Sequence, residues 1–456
     1  MPDLTKDGLG EFYVRDTHRV YLYDGASLAQ LFTIDSSPLT ATCDPDFTTQ
    51  TADSAGDLTG DGVPDLMFGQ ECAAGFGQVV MVDGTNGTEL FRVSPPENRA
   101  YFGHTVRLLP DMTNDGKHDW LIHSREGPFG SGQSGTLLGA VHLFDSQTRK
   151  VVRTLRNTEA AFSFNMEYVA VIPDVDGDGK PELLTGSRFA SRRDGQTTYT
   201  KAGRALVRSL ETGKVLYELL DPEPRTDGAF SLLALCAAGD VNGDGISDIA
   251  IGAAPKNNRA GGVYLFSGAD GRWLRTLKSP KSQLGFFGGR IQAMGDLNGD
   301  GVPELWIEEN LATVTHLFDG RTSTLLKTIK YPGLVHNNPL GGPKFTIGIV
   351  QQEASPGIRA LLFAAPQVPD FDGRVYYMPF TPLPKLPRLK ATGKTSSGFR
   401  LQVTGESGSK VEVQGTGDFR IWDPVASVTL GNQPAEVEDS AAANQSQRFY
   451  RAVQKE

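Results

Sequence analysis

The chain has 456 residues, 39% of them hydrophobic and 21% charged, with 53 glycines and 27 prolines. That balance is too apolar for a disordered chain and too rich in turn formers for a helical protein, so an all-β fold is expected, in several domains or one large repetitive one. With 44 basic against 54 acidic residues and a formal charge of −10, nucleic acid and anionic membranes are poor partners and cations are good ones.

The opening, MPDLTKDGLGEF, has neither the basic start nor the apolar stretch of a signal peptide. No run approaches 18 apolar residues, so no membrane-spanning helix is expected. Cys43, Cys72 and Cys236 show no metal spacing and are expected as buried thiols, with a Cys43–Cys72 pair as the alternative.

An internal repeat organises the sequence. DLTKDGLGEF (from Asp3), DLTGDGVPDL (Asp57), DMTNDGKHDW (Asp111), DVDGDGKPEL (Asp174), DVNGDGISDI (Asp240) and DLNGDGVPEL (Asp296) share D-x-[DNT]-x-D-G-x-x-[DE], at intervals of 54, 54, 63, 66 and 56 residues. A seventh copy, IVQQEASPGIRALLFAAP, keeps the apolar flanks and has lost the acids. Runs such as FGHTVRLLP or FGGRIQAMG precede the acidic loops (strand A) and DLMFG, DWLIH or DIAIGAAP follow them (strand B). Then come RVYLYDG, QVVMVDG or GVYLFSG (strand C) and TELFRVS, KVVRTLR or RWLRTLK (strand D).

Four short strands per unit and seven units predict a seven-bladed β-propeller of four-stranded antiparallel blades over residues 1–380, in preference to a stacked solenoid. The first unit lacks strand A and the last lacks strand D. Both gaps would be filled by one N-terminal stretch if Met1 were an internal methionine of a longer secreted precursor; otherwise the ring closes imperfectly. A Pro/Lys-rich linker, 381–390, leads to a small C-terminal β-sandwich-like domain, 391–456.

Repeated carboxylates at positions 1, 5 and 9, an oxygen at position 3 and glycine at position 6 are the donor set of a hard cation held by six to eight oxygens, Ca²⁺ above all. The backbone carbonyl of position 7 completes each set. The six candidate sites are Asp3, Thr5, Asp7, Leu9 and Glu11; Asp57, Thr59, Asp61, Val63 and Asp65; Asp111, Thr113, Asp115, Lys117 and Asp119; Asp174, Asp176, Asp178, Lys180 and Glu182; Asp240, Asn242, Asp244, Ile246 and Asp248; and Asp296, Asn298, Asp300, Val302 and Glu304. An EF-hand is excluded, because position 12 is Val14, Phe68, Ile122, Thr185, Ile251 and Ile307, none able to ligate. The loop from Asp174, with four carboxylates, should bind most tightly. Up to six calcium ions would carry the charge from −10 to about +2 and stabilise the fold by linkage. Millimolar-range sites of this kind are filled outside a cell.

The run GDVNGDGISDIAIGAAP (239–255), with FG-x-x-V before other loops, resembles the FG-GAP repeat of integrin α-subunit propellers and their bacterial relatives, over about residues 1–380. The resemblance implies calcium in the hairpin between strands A and B of a seven-bladed propeller. The first unit, the acid-free seventh loop and weak GAP segments such as FGQ and TGS depart from the pattern. The ending SQRFYRAV resembles terminal modules of secreted bacterial proteins.

Strands B and C are joined by long insertions in units three and four, 124–139 and 187–203, displayed on the face opposite the acidic loops. Phe129, Arg188, Arg192, Arg193, Tyr199 and Lys201 form a basic and aromatic set suited to an acidic or sugar ligand. No HExxH, GxSxG or phosphate-loop motif is present, and His104, His142 and His316 read as packed strand residues. The expectation is a secreted or cell-surface calcium-binding propeller that binds an extracellular protein or polysaccharide, with no nucleic-acid partner; a propeller-type lyase or hydrolase is the alternative.

Overall fold

The structure, a computed structural model, describes residues 1–15, 19–35, 51–71, 76–96, 101–124, 139–156, 168–187, 190–195, 197–199, 202–222, 232–253, 261–280, 287–309, 314–330, 385, 387–418, 420–445 and 447–455, and the backbone of 346–352, 357–365 and 374–379. Cys43 and Cys72 lie outside them, and Cys236 is a free thiol. The described residues hold β-strands, one short 3-10 turn and no α-helix, hence no helix long and apolar enough to cross a membrane. They fall into two compact units, Met1–Met294 with Leu305–Phe380, and Gly295–Glu304 with Thr381–Glu456.

In the first unit, five repeats fold as four-stranded antiparallel sheets in chain order. Repeat two comprises Ala52–Gly56, Asp65–Gln70, Gln78–Val82 and Glu89–Val93. Repeat three comprises Phe102–Leu109, Asp119–Ser124, Ala140–Asp145 and Lys150–Arg156. Repeat four follows with Tyr168–Ile172, Glu182–Ser187, Arg204–Ser209 and Val215–Leu219. Repeat five has Leu232–Gly239, Asp248–Ala253, Gly262–Phe266 and Trp273–Lys278, and repeat six has Phe287–Ala293, Leu305–Glu309, Val314–Phe318 and Leu325–Lys330. Three-stranded sheets stand before and after: Phe12–Arg15, Arg19–Tyr23 and Gln30–Asp35, and Thr346–Gln352, Gly357–Ala365 and Arg374–Pro379. Phe12–Arg15 lies against Thr346–Gln352, so the first sheet meets the last. This all-β array is consistent with a β-propeller.

Strand B is buried along its whole length in repeats two to six, which is why it reads as a continuous apolar run rather than an alternating one. The core is layered between successive sheets. Met67, Val79 and Met81 of repeat two pack on Phe102, Val106, Trp120 and Phe144 of repeat three, and Leu184 and Val207 of repeat four pack on Ile249, Ile251 and Phe266 of repeat five. Fully buried Trp120 donates its indole N–H to the carbonyl of Ala55 at 3.0 Å, so its one polar group is satisfied across the interface.

Two glycine pairs bring the main chains of neighbouring sheets together. A Cβ on Gly69 would lie 1.9 Å from the carbonyl oxygen of Gly103, and one on Gly252 would lie 2.0 Å from that of Gly288. Gly103 and Gly288 are the glycines of the FG dipeptides, and Gly252 opens GAAP. The motif therefore records where the backbone of one sheet touches the backbone of the next.

Ala52–Gly56 is a strand that the sequence analysis did not name. Its neighbourhood is polar because its side chains serve the next sheet's main chain: Thr51 Oγ1 accepts the N–H of Val106 at 2.9 Å, and Asp53 Oδ2 that of Leu108 at 3.2 Å. Strand D side chains clamp the following C–D turn. The Tyr217 hydroxyl donates to the Gly268 carbonyl, Arg275 Nε donates to Ser323 Oγ at 2.6 Å, and the Arg149 guanidinium lies 3.7 Å from the ring centre of Phe91.

In the second unit, Arg388–Lys394, Phe399–Thr404 and Ala435–Asp439 form one sheet, and Asp423–Thr429, Lys410–Thr416 and Phe449–Lys455 another. Leu401, Val403, Val411, Val413, Leu430 and Val437 make a shared core. Beside it, Arg448 and Asp439, 7% and 4% exposed, form an ion pair at 2.5 Å.

Candidate metal-binding loops

In repeats two to five the acidic segment is the hairpin between strands A and B, because its ninth residue is the first of strand B and pairs with the end of strand A: Asp65 with Gly56, Asp119 with Leu109, Glu182 with Ile172 and Asp248 with Gly239. In repeat six Glu304 stands just before strand B and its N–H donates to the Gly295 carbonyl at 3.0 Å, and in the first repeat Glu11 directly precedes Phe12–Arg15. One hydrogen-bond scheme runs through all six. The first aspartate accepts the N–H of the sixth-position glycine, as in Asp3 from Gly8 at 2.7 Å and Asp174 from Gly179 at 2.8 Å, and likewise Asp57, Asp111, Asp240 and Asp296. The fifth aspartate accepts from position 7: Asp7, Asp61, Asp115, Asp178, Asp244 and Asp300 take the N–H groups of Leu9, Val63, Lys117, Lys180, Ile246 and Val302. The ninth acid accepts from position 2, from Leu4 to Glu11 at 2.9 Å through to Leu297 to Glu304 at 2.5 Å.

This curl requires left-handed backbone twice per loop. Position 6 is glycine throughout, with φ between 80° and 92°; position 4 is Lys6, Gly60, Asn114, Gly177, Gly243 and Gly299, all at positive φ. The role of position 4 was missed from sequence. Its signal was there, since four of the six are glycine and one is asparagine, the residues that adopt this conformation most cheaply.

The ninth acids are all buried. Desolvation pushes Glu11 and Glu182 up to about 7 and raises Asp65, Asp119 and Asp248 against the pull of their backbone N–H bonds. Asp57 goes the other way: despite some desolvation, the N–H groups of Gly62, Gly60 and Asp61 hold it below the usual carboxylate range.

The two ninth-position residue types differ. Asp65, Asp119 and Asp248 use their second oxygen to accept an N–H from the C–D turn of the same sheet, from Gly84 at 3.0 Å, Ser146 at 3.2 Å and Gly268 at 3.0 Å. Glu11 Oε2 and Glu182 Oε1 are buried and have no hydrogen-bond partner among the described residues. Asp174, Asp176, Asp178 and Glu182 each bring an oxygen within 4.8 Å of the others, as do Asp296, Asp300 and Glu304. Among the described residues, no other loop draws three acids that close.

Neighbouring loops also touch. Lys180 Nζ donates to the Asp111 carbonyl, and the Lys117 charge acts on Asp57. Within the second unit, Arg388 Nη2 lies 3.2 Å from Asp296 Oδ2.

Of the basic and aromatic set, Phe129, Arg188 and Lys201 lie outside the described residues. Arg192–Asp194 and Thr197–Tyr199 form a two-stranded ribbon in which Arg192 pairs with Tyr199. The base of this insertion is pinned by Ala190 and Ala202, both buried, and by the N–H of Gly203 on the Ala190 carbonyl at 3.0 Å. The strand histidines are packed: His142 lies between Ser124 and Thr154, and His316 between Glu309 and Thr328.

Comparison with known proteins agrees with this geometry. The FG-GAP repeat model matches residues 234–266, which run from strand A through the fifth acidic loop to strand C. Human integrin alpha-IIb is 29% identical over 223 residues, 45% of this chain and 19% of its own. Human integrin alpha-11 is 25% identical over 214 residues, 45% of this chain and 17% of its own, and mouse integrin alpha-X is 35% identical over 218, 43% and 18%. The chain thus spans under a fifth of the length of these relatives. Residues 234–266 thus carry an FG-GAP repeat, and over nearly half of its length the chain is similar to integrin α-subunits.

Proposed function

We propose that the chain is a calcium-binding, extracellular or cell-surface β-propeller of seven blades that acts as a non-catalytic adhesion or binding module. The observation that carries the metal reading is the pair of orphaned, buried carboxylate oxygens of Glu11 and Glu182 inside curled loops of further acids. A buried carboxylate without a donor is costly. A Ca²⁺ ion 2.3–2.6 Å from each ligand sits between oxygens up to roughly 5 Å apart, which the 4.8 Å clusters of the loops from Asp174 and Asp296 match. All six loops share the fold and are assigned as sites, with those two filled first. Bound calcium would neutralise acids that otherwise repel, and so join strands A and B of each blade.

The partner is read as an extracellular protein or polysaccharide, taken by the B–C insertions at the end of each sheet away from the acidic loops. A rigid scaffold with variable loops is the usual construction of a recognition surface, and similarity to integrin α-subunits supports adhesion. The test is thermal unfolding in excess EDTA and then in millimolar Ca²⁺ or Mg²⁺, with metal analysis of the purified protein. A rise in midpoint specific to calcium, with several ions per chain, is expected; no shift and no bound metal would overturn the metal reading. Deletion of 190–202 should then abolish partner binding while leaving the calcium response intact.

A further inference from the structure

A cavity of about 200 Å³ lies between strand A of repeat five and strands A and B of repeat six, lined by Ala234, Leu235, Arg290, Gln292, Trp306 and Glu308. None of these lining residues belongs to an acidic loop or to the B–C insertions. At its floor, Glu308 is 1% exposed. Its Oε1 has no hydrogen-bond partner among the described residues. Its Oε2 stands 3.8 Å from Nε of Arg290, whose side chain is half exposed. A buried carboxylate and a guanidinium ordinarily close to about 2.7–2.9 Å. Here they stop short of hydrogen-bond length, and the guanidinium charge offsets only part of the cost of the buried carboxylate. Burial pushes the Glu308 carboxyl up to about 7, with Arg290 opposing.

The gap selects the ligand. A bare cation is repelled by Arg290 and an anion by Glu308, whereas a hydroxyl group donates to one and accepts from the other with a single oxygen. An oxygen at about 2.7 Å from the carboxylate and about 2.9 Å from Nε would subtend an angle of about 85° across the 3.8 Å gap, narrower than tetrahedral, and widening the gap slightly relaxes it. Gln292 adds an amide that donates and accepts, and Ala234, Leu235 and Trp306 give apolar wall to ring carbons. The volume is below the ~300–1,000 Å³ of clefts that take drug-sized molecules, which limits the occupant to one small ring. We propose that this cavity is a binding site for a single saccharide residue, one hydroxyl of which bridges Glu308 and Arg290.

The site depends on neither calcium nor the insertions, so it can be tested in EDTA. Saturation-transfer NMR on the full chain would use methyl α-glucoside, methyl β-galactoside, methyl α-mannoside and N-acetylglucosamine, with glycine as the zwitterionic competitor. At least one saccharide should receive saturation, with affinity about tenfold weaker in Glu308→Gln. Ala234→Leu, which fills the cavity without touching the charged pair, should remove the signal and serves as the second variant if Glu308→Gln unfolds. The proposal is overturned if no saccharide receives saturation, if glycine alone does, if affinity is unchanged in folded Glu308→Gln, or if the saccharide signal survives in folded Ala234→Leu.

Discussion

Gly252→Ala tests whether the spacing of the sheets is set by main-chain contact. The added Cβ would lie 2.0 Å from the Gly288 carbonyl oxygen and 3.0 Å from its carbon. A comfortable carbon–oxygen contact is about 3.3 Å, so strand B of repeat five and strand A of repeat six must part by more than 1 Å, and Ile291, whose Cδ1 lies 3.2 Å from the added Cβ, must shift with them. Overpacking of a core costs about 1–3 kcal/mol, and here backbone rather than a flexible side chain must yield, so about 3 kcal/mol is expected. In a unit of this size that lowers the melting midpoint by roughly 3–5 °C. Urea and thermal unfolding of the full chain would measure it, with Gly431→Ala as control because an added methyl there meets nothing within 4 Å. Gly69→Ala, against Gly103, should behave like Gly252→Ala. A loss below about 1 kcal/mol in both variants would refute the argument, since the sheets would then be free to move apart.

Four further outcomes are expected. Asp176→Ala, which removes a carboxylate from the loop that gathers four, should weaken calcium binding in titration more than Thr113→Ala; equal effects would sink the charge ranking. In EDTA, Asp248→Asn should cost about 1–3 kcal/mol in urea unfolding, because an amide nitrogen cannot accept from Gly268 or Val241; an unchanged midpoint would mean that those bonds are idle. Glu308 is raised in the folded state from 4.5 to about 7, so its contribution is complete below pH 4.5 and is lost as pH rises through 7. Up to roughly 3 kcal/mol should go over that window, and the urea midpoint of Glu308→Gln should be flatter than that of wild type. Asp439→Asn leaves the Arg448 charge buried and unpaired, and should cost about 3–5 kcal/mol. Hydrogen exchange over 388–455 should rise sharply in that variant, with the first unit unaffected.

The acidic loops were legible because side chains carry their pattern: acids at positions 1, 5 and 9 and glycine at 6 have a chemical reason that spacing alone exposes. Strands B and C were legible as apolar runs, since both faces are covered. What escaped was set by main chain. Thr51 and Asp53 serve the backbone of the next sheet, so the Ala52–Gly56 strand has a polar sequence and no periodicity. Left-handed position 4 looked variable because lysine and asparagine stand in for glycine there. The second oxygen of Asp65, Asp119 and Asp248 finds a C–D turn 19, 27 and 20 residues on, which no local reading of a nine-residue motif contains. The FG and GAP glycines were recognised by resemblance, and their reason, contact between carbonyl and Cα across sheets, exists only in the folded chain.

The hydrogen bonds from Gly84, Ser146 and Gly268 to the ninth aspartates tie both hairpins at one end of a sheet into a single body. Neither hairpin can lengthen there without breaking the other's anchor. Among the described residues no ninth-position acid bonds to the B–C connection, and that is where 124–139 and 187–203 are inserted. Repeats two, three and five therefore have a fixed end and a free one, and in repeat three new sequence stands at the free end without disturbing the fixed one. Selection for new partners would be expected to write almost all of its changes there.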